Sequence, residues 1–105
     1  MVHCDLYGTR ILSALDSKLR IEVALNASLE VRESLFHGGV YYKYKNNSES
    51  FMIKNNYDLI DDHAAERLFA DYPVLLYVDS TERSLELSFK ILGDGAFVLL
   101  RHEVL

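Results

Sequence analysis

The chain has 105 residues, half of them hydrophobic, which suits one domain with a modest core and requires neither disulfides nor structural metal. Its formal charge of −5 at pH 7 argues against a phosphate-binding surface, which needs a basic excess. The single cysteine excludes an internal disulfide, and the N-terminal residues lack the apolar run of a secretory signal. We therefore expect a cytoplasmic protein that binds neither nucleic acid nor membrane.

Alternation of apolar and polar residues predicts a first strand over residues 2–7. Thr9 is predicted to cap a following helix. The inward face of that helix would carry Ile11, Leu12, Leu15 and Leu19. Residues 20–25 alternate again and predict a strand, although the preceding helix could continue through them. Residues 28–36 fit either a strand or a helix, and we favour a helix that ends at Gly38 and Gly39.

A β-hairpin is predicted where residues 39–45 and 50–54, both rich in β-favouring residues, flank a turn-forming tetrad. The first of these strands carries Tyr41, Tyr42 and Tyr44 beside two lysines. Such a strand could stack bases, but no wider basic footprint surrounds it. We interpret it as a candidate edge strand that offers a protein partner its backbone and its aromatic contact area.

Asp61 or Asp62 is predicted to cap a short helix that ends before Pro73. Its inward residues would be Ala64, Ala65, Leu68 and Phe69. Residues 74–78 are continuously apolar, which is typical of a central strand buried on both faces.

Residues 85–92 fit either an alternating strand or a helix, and we favour a helix with Leu85, Phe89 and Leu92 on its inward stripe. Caps are available at Asp79, Ser80 and Thr81, and a stop at Gly93 or Gly95. Residues 96–101 then form a last strand. The sum is a single α+β domain, residues 1–105, with a mixed or antiparallel sheet of four to six strands, two or three helices and a strand-helix-strand C-terminal unit.

Catalysis by a cysteine and a histidine would need Cys4 beside one of the four dispersed histidines. His3 adjoins Cys4 on a predicted strand, so the two side chains should point to opposite faces, and we predict a buried, unreactive thiol. No ligand spacing typical of zinc or calcium occurs. We therefore predict no catalytic residue, no cofactor and no metal site.

Acidic residues are concentrated in residues 58–83, which hold seven acids and two bases. Of the 16 acids and 11 bases in the chain, nine of each therefore lie elsewhere. Acids needed only for solubility could be scattered, so this concentration suggests a surface for a partner, and the alternative is a solvated helix with aspartate caps. Nearby tyrosines favour the partner, because interface hot spots combine aromatic side chains with complementary charge.

The predicted partner-binding residues are Tyr57, Asp58, Asp61, Asp62, Glu66, Asp71 and Tyr72. Because Asp61 and Asp62 are also predicted as helix caps, we expect Asp58, Glu66 and Asp71 to contribute most directly.

Three segments carry a resemblance to a known group of proteins: Asn-Asn-Tyr-Asp at 55–58, Ile-Asp-Asp at 60–62 and Asp-Tyr-Pro-Val-Leu-Leu-Tyr-Val at 71–78. In these the chain resembles small bacterial immunity proteins, which are encoded beside polymorphic or contact-dependent growth-inhibition toxins. The resemblance implies a cytoplasmic, non-catalytic inhibitor of one cognate toxin domain, often a nuclease, as a monomer or weak homodimer. The alternatives are a scaffold or regulatory subunit, dimeric through residues 41–45, and a small Cys/His hydrolase.

Overall fold

The computed structural model describes residues 1–105. Its strands are His3–Thr9 (β1), Glu30–Ser34 (β2), Gly39–Lys45 (β3), Ser50–Asn55 (β4), Val74–Thr81 (β5) and Val98–Val104 (β6). Its helices are Ala14–Leu25 (α1) and Ser84–Leu92 (α2), with 3-10 turns at Leu35–His37 and Arg67–Phe69. The six strands form one antiparallel sheet in the order β2-β3-β4-β5-β1-β6. The predicted α+β class is confirmed.

The middle of the sheet matches the sequence-based expectation. β5 lies between β4 and β1, and four of its first five residues are buried, which confirms the central strand. β3 and β4 form the predicted hairpin, with Tyr42 opposite Ile53. Its turn is closed by the Asn46 side chain, whose oxygen accepts hydrogen bonds from the backbone N–H groups of Ser48 and Glu49 at 2.8 and 2.9 Å.

Both helices pack on one face of the sheet, where they enclose the hydrophobic core. That core includes Tyr7 of β1, Phe51 of β4 and Leu76 of β5, together with Ile21 of α1 and Leu87 of α2. The predicted helix over residues 85–92 is confirmed. Its N-terminus differs from the prediction, because Thr81 accepts a hydrogen bond from the Arg83 N–H and no side chain caps the helix.

The prediction for the first helix was wrong in its cap and in its inward face. Ser13 caps α1 by accepting from the Asp16 N–H at 3.0 Å, while buried Thr9 closes the preceding turn. α1 continues through residues 20–25, so the predicted strand there is wrong and the helical alternative holds. The residues that α1 buries are Ser17, Ile21 and Leu25. Of the residues predicted to face inward, Leu15 and Leu19 of α1 and Leu85 and Phe89 of α2 face outward, and Ile11, which precedes α1, is exposed. Leu12 and Leu92 are partly buried against the core, as predicted.

Residues 28–36 do not form the predicted helix, because β2 gains backbone hydrogen bonds to β3 along five paired positions. Gly38 and Gly39, with φ of 78° and 100°, turn the chain back for this pairing. β3 is therefore an interior strand, and its predicted role as an edge strand is wrong. Tyr41 and Tyr42 are buried, Tyr44 is partly buried, and the edges of the sheet are β2 and β6.

The predicted helix near residues 61–69 is also absent. Only the 3-10 turn Arg67–Phe69 forms there, and Asp61 and Asp62 cap no helix. Hydrogen bonds from polar side chains to the backbone shape this segment instead. The last strand begins at Val98, two residues later than predicted, because Ala96 and Phe97 are buried in the core before it.

Candidate functional site

Residues 56–73 form a loop, here called the acidic loop, that joins β4 to β5 and packs on the sheet face opposite the helices. Its two ends are tied together by a hydrogen bond from the Asn56 N–H to the Pro73 carbonyl at 2.8 Å. The buried Asn56 side chain accepts from the Glu66 N–H at 2.8 Å and donates to the Phe69 carbonyl at 2.9 Å. One amide side chain therefore fixes the middle of the loop.

Glu66 joins the acidic loop to the sheet. Its carboxylate accepts a hydrogen bond from the Tyr77 hydroxyl of β5 at 2.6 Å and pairs with Arg101 of β6 at 3.2 Å. Burial raises the pKa of Glu66, but the bonds from Tyr77 and Arg101 outweigh it, so the pKa lies below its usual value. Burial and the Glu66 carboxylate raise the pKa of Tyr77 in turn. Glu66 thus holds the fold together and is not free to steer a partner.

Asp58 and Tyr72 also serve the loop itself. Asp58 accepts hydrogen bonds from the backbone N–H groups of Asp61 and Ile60, which lower its pKa and close a tight turn. Tyr72 packs over Gly8 so closely that a Cβ added there would lie 2.9 Å from the tyrosine. The guanidinium of Arg10 covers its ring at 4.4 Å. Neither residue is an open contact for a partner.

The remaining predicted residues, Tyr57, Asp61, Asp62 and Asp71, are exposed. Asp71 faces Arg10 at 3.6 Å, and both side chains are so exposed that the pair adds little stability. Asp62 has a φ of 56°, a left-handed conformation that aspartate and asparagine tolerate better than most residues. The free acidic charge of the loop therefore lies chiefly at Asp61 and Asp62, which the sequence had suggested as helix caps.

The surface of the loop also carries exposed apolar side chains, which sequence reasoning missed, since Leu68 was predicted to face inward. Within the loop they are Leu59, Ile60 and Leu68, the last 91% exposed. The exposed turn residues Leu35 and Phe36 lie alongside, because the neighbouring Gly38 and Gly39 approach the Tyr57 carbonyl and the Leu59 side chain. The acidic-apolar surface consists of these residues with the exposed part of the loop: Leu35, Phe36, Tyr57, Leu59, Ile60, Asp61, Asp62 and Leu68. The sequence did contain one signal for these exposed residues, namely the run Ile-Asp-Asp, which fits the amphipathic pattern of neither a helix nor a strand.

A cation could be considered at Asp58, Asp61 and His63, which each bring one possible ligand atom within 4.8 Å of the others. These possible ligand atoms already have other partners, however. The Asp58 oxygen holds the turn, and Nε2 of His63 contacts the guanidinium of Arg67 while Nδ1 faces the Ala64 carbonyl. A positive guanidinium beside the imidazole opposes a metal ion there, and we assign none.

A second polar cluster lies on the helix side of the sheet, in a cleft of about 400 Å³. Buried Asp5 accepts a hydrogen bond from the Ser84 hydroxyl and is hydrogen-bonded to Nδ1 of His102, which it faces across β1 and β6. In serine hydrolases the imidazole lies between carboxylate and hydroxyl. Here the carboxylate lies between them, so the hydroxyl is not activated and the cluster instead ties α2 to the sheet.

Cys4 is partly buried, which differs from the predicted full burial. It lies on the opposite sheet face from His3, as predicted, since His3 lines the cleft beside Asp5 and Cys4 lines another beside Tyr77. Asp79 lines the same cleft as Cys4, and burial raises the pKa of this carboxyl group.

Comparison with protein-family models finds no match, and neither does a search of curated proteins. Neither helix has the length and apolar character needed to cross a lipid bilayer.

Proposed function

We propose that this protein is a non-catalytic cytoplasmic inhibitor of the immunity type, which binds a basic toxin domain of the nuclease class through the acidic-apolar surface. The observation that carries the proposal is the mixture of free carboxylates and exposed aliphatic side chains on a loop held by Asn56 and Glu66. The side chains of this surface are exposed and therefore contribute little to the hydrophobic core, which lies between the sheet and the helices.

The two kinds of side chain have separate roles in such a complex. Ile60 and Leu68 supply apolar area that a partner can bury, which lowers the rate of dissociation. Asp61 and Asp62 raise the rate of association with a positively charged domain. Because the loop is fixed by internal hydrogen bonds, less conformational entropy is lost on binding. A nuclease domain fits this description, since its active site must attract phosphate and is therefore basic.

The test searches the neighbouring genes for a toxin and uses its small basic domain, which the proposed function requires. We expect its activity to stop when the two proteins are equimolar. Neutralising both free acids, with Asp61→Asn and Asp62→Asn, should weaken binding about tenfold, and asparagine suits the left-handed backbone at position 62. The matched control is Glu30→Gln with Glu82→Gln, which removes the same charge from exposed positions outside the loop.

Leu68→Ala tests the apolar contribution separately. We expect faster dissociation by about tenfold, which corresponds to about 1.4 kcal/mol. Unchanged affinity in both the Asp61/Asp62 and the Leu68 variants would contradict the proposed surface.

The alternative of a scaffold that dimerises through residues 41–45 has lost its predicted interface, because β3 lies inside the sheet.

A further inference from the structure

The outer surface of the helix layer is apolar. Ser17, Ile21 and Leu25 of α1 face the sheet. Two residues of a helix rotate by about 200°, so side chains two positions away from these point outward. The outward positions of both helices carry large apolar side chains, namely Leu15, Leu19 and Val23 of α1 and Leu85 and Phe89 of α2. We call these five residues the helix-face patch.

The helix-face patch is continuous and large for a chain of this size. α1 and α2 pack against each other, so their outward stripes are neighbours. Each of the five side chains is between 51% and 85% exposed. Together they expose roughly 600 Å² of apolar surface, at the upper end for the largest patch on a monomer and close to the ~800 Å² that each partner buries in a stable interface.

The charges around the patch are balanced. α1 and α2 contain three acids and three bases, in the order Asp16, Lys18, Arg20, Glu22, Glu86 and Lys90. Lys18 pairs with Glu22 at 3.1 Å, and Lys90 pairs with Glu86 at 3.7 Å. The helix layer is therefore electrically neutral, although the whole chain carries −5. Two copies that meet on this face therefore experience no net charge repulsion, whereas a strongly basic partner would find no complement there.

We propose that the helix-face patch binds a second copy of this chain and forms a two-fold symmetric dimer. Identical patches that are apolar at the centre and charge-balanced at the rim are self-complementary, as a two-fold interface requires. The acidic loop lies on the opposite face of the sheet, so the dimer leaves it open. The inference does not depend on the proposed function.

The test is sedimentation velocity on the full chain between about 200 μM and about 1 μM. The wild-type mass should approach twice 12.1 kDa at the upper end and fall on dilution. Leu19→Glu should raise the dimer dissociation constant at least about 50-fold, because it buries four carboxylate oxygens at the centre of the interface. The control is Val31→Glu, which places the same charge at an exposed apolar position on edge strand β2 and should leave the dimer intact.

Leu19 is half-exposed in the isolated chain, so Leu19→Glu should keep the wild-type circular dichroism spectrum. Phe89→Glu, on α2, should cause the same loss of dimer. Agreement between the two variants would show that the loss does not arise from a local change in α1. The proposal is overturned if the wild-type chain is monomeric at every concentration, which would leave the patch to another protein. It is also overturned if the dimer survives both helix variants, or if Val31→Glu alone dissociates it.

Discussion

Glu66→Gln tests the finding that this acid joins the acidic loop to the sheet. The substitution keeps the size of the side chain and one acceptor oxygen, but it removes the negative charge of the carboxylate. That carboxylate accepts a hydrogen bond from Tyr77 at 2.6 Å and pairs with Arg101 at 3.2 Å. A hydrogen bond to a charged group contributes ~1.5–3 kcal/mol. Glutamine retains part of this, and Arg101 keeps Glu103 at 3.0 Å. We therefore expect a loss of about 1.5 kcal/mol, or roughly 6–12 °C in melting temperature for a domain of this size.

The assay is urea or thermal unfolding at several pH values, with Glu103→Gln as the control. Glu103 touches the same arginine but is exposed, so its loss should cost less than about 0.5 kcal/mol. Since the pKa of Glu66 is lowered in the folded state, its contribution is fully present above the unfolded pKa and is lost as pH falls through the folded pKa. The difference between wild type and Glu66→Gln should accordingly shrink below about pH 4. The role of Glu66 in joining the loop to the sheet would be refuted if the stability difference between wild type and Glu66→Gln stays constant with pH. It would also be refuted if that difference at pH 7 is no larger than the loss caused by Glu103→Gln.

Two further substitutions test the fold. Glu49→Gln should lower the unfolding free energy by about 2–3 kcal/mol in urea titrations. The reason is that the buried Glu49 carboxylate accepts hydrogen bonds from Thr81 and from Arg83, which lower its pKa. A loss below about 0.5 kcal/mol would contradict this. Gly38→Ala should cost about 1–3 kcal/mol more than Gly95→Ala, since both have positive φ but only at Gly38 would the new Cβ meet a backbone oxygen, at 2.6 Å. Equal melting temperatures for the two alanine variants would show that the Gly38 turn can relax.

β5 and the β3–β4 hairpin were predicted correctly because their local patterns favour one structure. The apolar run of β5 is short and follows a proline, which favours a buried strand over a helix, and the hairpin has β-favouring residues on both sides of a turn. The helix over residues 85–92 was also predicted correctly, although its pattern fitted a strand as well. β2 was mispredicted because its conformation is set by pairing with β3, which is not a local property. The helices were mispredicted in phase, since both the inward and the outward stripes are apolar and periodicity does not choose between them. The small residue Ser17 lies on the inward face of α1, whereas the prediction placed Leu15 and Leu19 on that face.

The charge pattern located the acidic loop, but it did not show which of the acids are free. The excess of acids over residues 58–83 pointed to the loop that the fold exposes. Charge counting cannot separate an acid used inside the fold from a free one, because that depends on partners distant in sequence. Glu66 meets Arg101 35 positions away, whereas the nearest charged partner of Asp61 is the partly buried imidazole of His63 at 3.8 Å. In the proposed surface, the free acids are therefore Asp61 and Asp62, whereas Glu66 and Asp58 are used within the fold.

The most direct test of the account is the ionic-strength dependence of association between this chain and the basic toxin domain that the proposed function requires. We measure the association rate by stopped flow for wild type, for Asp61→Asn with Asp62→Asn, and for Glu30→Gln with Glu82→Gln. If Asp61 and Asp62 steer the complex, the wild-type rate falls steeply with added salt, and the loop variant shows a slower rate and a distinctly shallower slope than the control. Equal rates and slopes for the two double variants would contradict the claim that the acidic-apolar surface binds the partner.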